Sequence, residues 1–251
     1  MIKGVAVRAT PAVLAATAVV LGACTSDTDP DGAAGGGGDS AVSESSADEP
    51  TYSPEAGEVV TLDQDQKWAT LEQGRYAVQV NSSVSYEVDV PNRWRVYQGR
   101  FLNSPPQENT IFFVSSAPKN STELPQHPCD DPTGTRVGPS VSDLANGLRD
   151  QPVLRVSEPD PVTVDGHDGL YVEVQIPETV DSSTCVDDTV ALFSTRSADW
   201  GWTEGFVGRW WILNVGGERV VINAQCGTAC ADDDLDILTT MAESVTFTRP
   251  E

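Results

Sequence analysis

The chain has 251 residues, with 15 Lys and Arg against 38 Asp and Glu, a formal net charge of −23, 2 histidines and 5 cysteines. A surface this acidic repels phosphate backbones and anionic headgroups, which argues against a nucleic-acid partner and against a body lying flat on a membrane.

Residues 1–23 open with a short basic segment carrying Lys3 and Arg8. An apolar run from Ala9 to Leu21 follows, interrupted by Thr10, Pro11 and Thr17, and then the small pair Gly22-Ala23. The uninterrupted apolar part is well short of the roughly 20 residues that a spanning helix needs, so the segment reads as a secretory signal. The junction Leu21-Gly22-Ala23-Cys24 resembles the bacterial lipobox. That resemblance implies a diacylglycerol on the Cys24 sulfur, with Cys24 as the mature N-terminus and the lipid bilayer as the first partner. Two or three acyl chains, at about 0.8 kcal/mol per buried methylene, hold a protein where one chain does so only marginally. The competing reading is an ordinary signal cut near Ala23 that leaves Cys24 an incidental thiol. Loss of residues 1–23 removes Lys3 and Arg8 and no acid, so 15 − 2 leaves 13 basic against 38 acidic side chains, a charge of −25.

Residues 24–57 are Gly-, Ser-, Ala-, Asp- and Glu-rich and include Gly35 to Gly38. Such a segment cannot bury enough apolar surface to fold, and it reads as a solvated acidic tether with a reach of about 30 Å.

Residues 58–251 are enough for one domain with its own core. Val84, Tyr86, Val88 and Val90 alternate with Ser85, Glu87 and Asp89, and Leu170, Val172, Val174 and Ile176 alternate with Tyr171, Glu173 and Gln175. Both runs predict strands with one face on a core. Gly216-Gly217 between two β-rich runs, 210–215 and 219–224, predicts a two-residue hairpin turn with positive φ. Further strands are expected at 74–80, 110–115, 162–164 and 189–195.

Ser140 with Asp143 resembles a capping box opening a helix marked by Val141, Leu144 and Leu148. Asp232-Asp233-Asp234 suits the positive end of a second helix, with Leu235, Leu238, Met241, Ala242 and Val245 as its stripe. The expected fold class is α+β, a mainly antiparallel sheet of six or seven strands with two helices packed on it.

The run from Leu71 to Val78, the run from Tyr86 to Trp94 with its strand-Pro-x-x-Trp step, the strand from Gly169 to Ile176, the late hairpin, and the closing Ser244 to Phe247 together resemble small exported lipoproteins of actinobacteria. Some of these, such as the LpqN/LpqT type, have the Mog1/PsbP-like fold. The resemblance implies an α/β/α sandwich and a role in binding other proteins, and it transfers no catalytic residue.

Without Cys24, the cysteines are Cys129, Cys185, Cys226 and Cys230. An even number in an exported chain predicts two disulfides. Four cysteines allow three pairings. Cys226 and Cys230 are close enough in sequence to bridge locally, which leaves Cys129 with Cys185, a closure worth roughly 3 to 4 kcal/mol on the chain-entropy account. The alternatives are a redox pair, against which stands the Cys-x-x-x-Cys spacing, and a metal site, against which stands the absence of a histidine near Cys226 in sequence.

His127 lies in a turn-rich stretch where a metal would need Asp130 and Asp131 as well. His167 lies in a tight Asp165–Gly169 turn. No Gly-x-Ser-x-Gly elbow or phosphate-cradling glycine motif occurs, and the Asp232–Asp234 run lacks EF-hand spacing, leaving weak calcium binding as its alternative to capping.

The aromatic cluster Trp200, Trp202, Phe206, Trp210 and Trp211 is the candidate partner-binding feature. Adjacent tryptophans on a strand point to opposite faces, so Trp210 and Trp211 cannot share a layer. Trp200, Trp202, Phe206 and Trp211 are the expected anchors for a partner, the alternative being a lid over the core. The expected function is a membrane-tethered, non-catalytic binding or accessory module of the cell envelope, with no cofactor and no metal. A carrier of a small hydrophobic ligand and an envelope hydrolase are the alternatives.

Overall fold

The computed structural model describes residues 49–104, 110–117, 122–194, 199–228 and 230–248, and residues 46–251 fall into one compact unit. The predicted leader and Cys24 lie outside the described residues. Eighteen strands in three sheets and two α-helices are found among those residues.

The largest sheet has ten strands. Its middle consists of β8 (Thr110–Ala117), β17 (Glu218–Cys226), β16 (Val207–Val215) and β13 (His167–Gln175), all antiparallel. Beyond β8 lie β7 (Phe101–Asn103), β6 (Trp94–Tyr97), β3 (Trp68–Leu71) and β1 (Thr51–Tyr52), the last running parallel to β3. Beyond β13 are β11 (Arg155–Val156) and β12 (Asp160–Val164), both paired to it. Strand pairing therefore begins at Thr51, inside the range read as tether.

A second sheet, in the order β18 (Thr246–Thr248), β5 (Ser85–Val90), β4 (Gly74–Gln79) and β2 (Val59–Thr61), packs on one face of the large sheet. The helix α2 (Asp232–Glu243) lies on that same face, burying Leu238, Met241 and Ala242. The opposite face carries α1 (Val141–Arg149) together with the third sheet. That sheet runs β10 (Asp131–Arg136), β9 (Glu123–His127), β14 (Val190–Ser194) and β15 (Asp199–Trp202).

Alternation assigns the faces. On β16, Trp211 and Leu213 join the α2-side core, whereas Trp210 and Ile212 join the α1-side core. Each side chain thus points opposite to its neighbour, as the pleat demands.

The expected α+β class with six or seven strands is contradicted: the protein is mostly β, and its largest sheet alone exceeds that number. The periodic runs all form strands where expected, at β4, β5, β8, β12, β13, β14, β16 and β17. The missed strands are mostly two to six residues long and hold their places by backbone hydrogen bonds to a neighbour. Period-two patterning is too short there to register. The third sheet also removes the simple helix-covered sandwich, because a four-stranded sheet shares each outer layer with its helix.

Local chemistry explains the helices and turns. The Ser140 hydroxyl accepts from the Asp143 N–H at 3.0 Å, and the Asp143 carboxylate accepts from the Ser140 N–H at 2.9 Å, so the capping box closes both ways. At α2 the Asp234 carboxylate accepts from the Ala231 N–H at 3.2 Å while three aspartates fill the first turn. Gly216 and Gly217 have φ of 61° and 89° and join β16 to β17 by a two-residue turn.

Candidate functional site

Both expected disulfides are present. Cys129–Cys185 spans a sequence separation of 56 with Cα atoms 4.2 Å apart, and Cys226–Cys230 a separation of 4 with Cα atoms 5.6 Å apart. The long bridge ties the β9–β10 turn to the segment ahead of β14. On chain entropy it contributes about 4 kcal/mol, against about 2 kcal/mol for the short one.

The tryptophan cluster does not form a free docking loop. Phe206 and Trp211 are buried, and Trp200 and Trp202 are partly buried. Trp200 stacks on Phe113 with ring centres 4.8 Å apart and packs beside Phe193 and Phe101. Trp202 stacks on Phe206 at 5.4 Å and donates its indole N–H to the Gln225 side chain at 3.1 Å. Trp211 crosses to the α2 side and meets Tyr171. The residues read as partner anchors therefore close the α1-side core, with Trp211 in the other core. Indole rings bury more apolar area than any other side chain, and the large sheet supplies Phe101 and Phe113 as rings facing Trp200.

His127 is exposed at the end of β9, and the side chain of Asp131, proposed beside it, lies outside the described residues. His167 opens β13 and packs edge-on against Phe247 at 5.4 Å. The structure does not bring the two histidines and the aromatic cluster into one site.

Among the described residues, two of the open surface grooves bear on the site. The larger, about 620 Å³, runs between α2 and the β4–β5 layer and is lined by Arg75, Asp89, Val90, Asp236, Ile237 and Met241 among others. Its floor is apolar and Ile237 is 40% exposed. Arg75 is already neutralised: it donates to Glu87 and to Asp89, each at 2.9 Å, and to the Thr246 hydroxyl at 2.8 Å. The groove therefore offers apolar contact beside Asp89 and Asp236 carboxylates, which suits an apolar segment flanked by positive charge.

The second groove, about 560 Å³, lies at the start of α1 and includes Ser140, Ser142, Asp168 and Arg219. Arg219 is buried, donating to the Gly138 and Ser140 carbonyls and to the Thr122 hydroxyl at 3.0 Å. Burial lowers its pKa and Asp143 opposes that shift. The Ser140 backbone N–H, and then its hydroxyl, hold the Asp143 carboxylate below the usual range. Arg219 thus fastens the loop ahead of α1. Sequence reading missed it, because an arginine next to a Gly-Gly turn looks like a solvated strand end.

Among the described residues, Cys226 and Cys230 have one carboxylate beside them, Asp234. One donor atom from each of the three lies within 4.8 Å of the other two. Neither a protein-family model nor a curated protein matches this chain.

Proposed function

We propose that the chain is a membrane-tethered extracytoplasmic lipoprotein, anchored through acylated Cys24, whose body is a non-catalytic binding module of the cell envelope. The observation that carries the reading is the pairing of all four cysteines of the body, while the fifth stands at the end of a short apolar leader. Disulfides persist in oxidising compartments, and a lone thiol at that position is explained by lipid attachment. The open groove beside α2 is the binding surface, and its apolar floor between carboxylates favours a partner segment that presents an apolar side chain next to Lys or Arg.

Binding is favoured over carriage of a hydrophobic ligand because the least open cavity among those described, lined by Ser115, Thr122, Trp210 and Asn223, has only about 30 Å³. That is room for a water molecule and far below the several hundred Å³ of a ligand pocket. Neither open groove is lined by a histidine, which weighs against the hydrolase. Replacement of Cys24 by Ser is expected to move the protein from the membrane fraction to the medium. Mass spectrometry of the native N-terminus is expected to show acyl chains on Cys24, and an unmodified N-terminus or a variant still in the membrane would overturn the anchor.

A further inference from the structure

The short disulfide sits where β17 hands over to α2, and its two sulfurs differ in exposure. Cys226 is 1% exposed, whereas Cys230 is half-buried and open to an attacking thiolate. Because only three residues separate the pair, the bridge constrains the unfolded chain little, so its removal leaves β17 and α2 to their own ladders and packing. Asp234 reaches back to the same point. One carboxylate oxygen accepts from the Ala231 N–H, and the other has no hydrogen bond among the described residues.

We propose that Cys226, Cys230 and Asp234 form a thiol-dependent metal site that is closed as a disulfide and, once reduced, holds one Zn²⁺. Exchange with an external dithiol delivers two electrons and two protons to the bridge: a mixed disulfide forms at Cys230, Cys226 leaves as a thiol, and the external dithiol departs as its own disulfide. Zn²⁺ then displaces the proton from each thiol, and the Asp234 carboxylate is the third ligand, with water at the fourth position of the tetrahedron. The Cys-x-x-x-Cys spacing falls within the range of zinc-binding cysteine pairs, and the Cα separation of 5.6 Å lets two thiolates converge on one ion without moving the backbone. Two sulfur ligands select a soft ion over calcium or magnesium. Asp232 and Asp233 share the first turn of α2 with Asp234 and add negative charge there, which draws a cation and opposes an anion.

The full chain carrying Cys24→Ser tests both halves. One equivalent of dithiothreitol is added anaerobically, the reductant is removed, and the opened cysteines are identified by alkylation and peptide mapping. Cys226 and Cys230 are expected to open first, and opening of Cys129–Cys185 ahead of them overturns the redox half. Zn²⁺ is then titrated against a chromophoric chelator. The reduced chain is expected to take one ion and to bind it at least about 100-fold more tightly than the oxidised chain, with Cys226 and Cys230 protected from alkylation.

Asp234→Asn is expected to keep the disulfide and weaken the reduced site by tenfold or more, about the effect of disturbing a metal's supporting groups. Because Asp234 also caps α2, circular dichroism of the oxidised variant is measured alongside, and the Co²⁺-loaded form is read for its thiolate charge-transfer band. Equal zinc binding by oxidised and reduced chains, no protection of the two thiols, or an Asp234→Asn site of unchanged affinity and unchanged cobalt spectrum overturns the proposal.

Discussion

Each face of the central sheet carries one helix, one four-stranded sheet, one disulfide and an arginine from the β16–β17 hairpin, and the two faces use them differently. On the α2 side, Arg209 lies partly open between Glu173 at 3.7 Å and Asp236 at 3.9 Å and donates to the Leu235 carbonyl and the Thr239 hydroxyl. On the α1 side, Arg219 is buried and meets only carbonyls and a hydroxyl, with Asp143 as its nearest compensating charge. The α2 face closes a disulfide over four residues and the α1 face over fifty-six. On the α2 side the helix packs by a regular aliphatic stripe beside a local disulfide. On the α1 side a disulfide between distant segments and stacked rings close the layer.

That difference can be broken or sharpened by measurement. The largest effect is expected from Trp210→Ala, which empties a site that is 2% exposed and loses the Phe193 ring contact, at about 4 kcal/mol in urea unfolding. Removal of both Cys129 and Cys185 by alanine is expected to cost about 4 kcal/mol, against about 2 kcal/mol for Cys226 and Cys230. Equal losses would erase the contrast between a long tie and a local one. Arg219→Ala leaves the Gly138 and Ser140 carbonyls unpaired beneath the loop and is expected to cost about 2 kcal/mol. Arg209→Ala, whose partners keep access to water, should cost under about 1 kcal/mol in the same assay. Ser140→Ala opens the capping box, for about 1 kcal/mol.

The last effect is a pH slope. Burial, and then Glu72, push the Tyr76 hydroxyl up to about 12, whereas an unfolded tyrosine titrates near about 10. Between those values the unfolded chain releases a proton that the folded chain keeps, so stability falls as pH rises through the window. Tyr76→Phe is expected to flatten that fall, with unfolding midpoints at several alkaline pH values as the readout.

The long period-two runs were legible because a strand buried on one face writes its geometry directly into side-chain type. Ser140 with Asp143, the Gly216-Gly217 turn and the cysteine pairing were legible for similarly local or arithmetic reasons. The opposite orientations of Trp210 and Trp211 also followed from the pleat alone. What the ring at Trp200 would touch did not, because Phe193 reaches it through the β14–β15 pairing and Phe113 through the packing of one sheet on another, neither of which a local pattern records. The short strands β1, β7, β11 and β18 were hidden because two or three residues cannot show a period. Arg75, at the head of the groove, was hidden because its partners Glu87, Asp89 and Thr246 come from two other strands.

The manner in which the chain enters the body has a mechanical consequence. Pro50 and Tyr52 give their carbonyls to the Thr70 and Glu72 N–H groups, and Glu49 pairs with Arg95 at 2.8 Å, all at the outer edge of the large sheet. A pull transmitted from the residues before Glu49 loads these few bonds ahead of any core side chain. The two-residue strand is therefore expected to peel first under such a load, while the ladder from β3 onward stays paired.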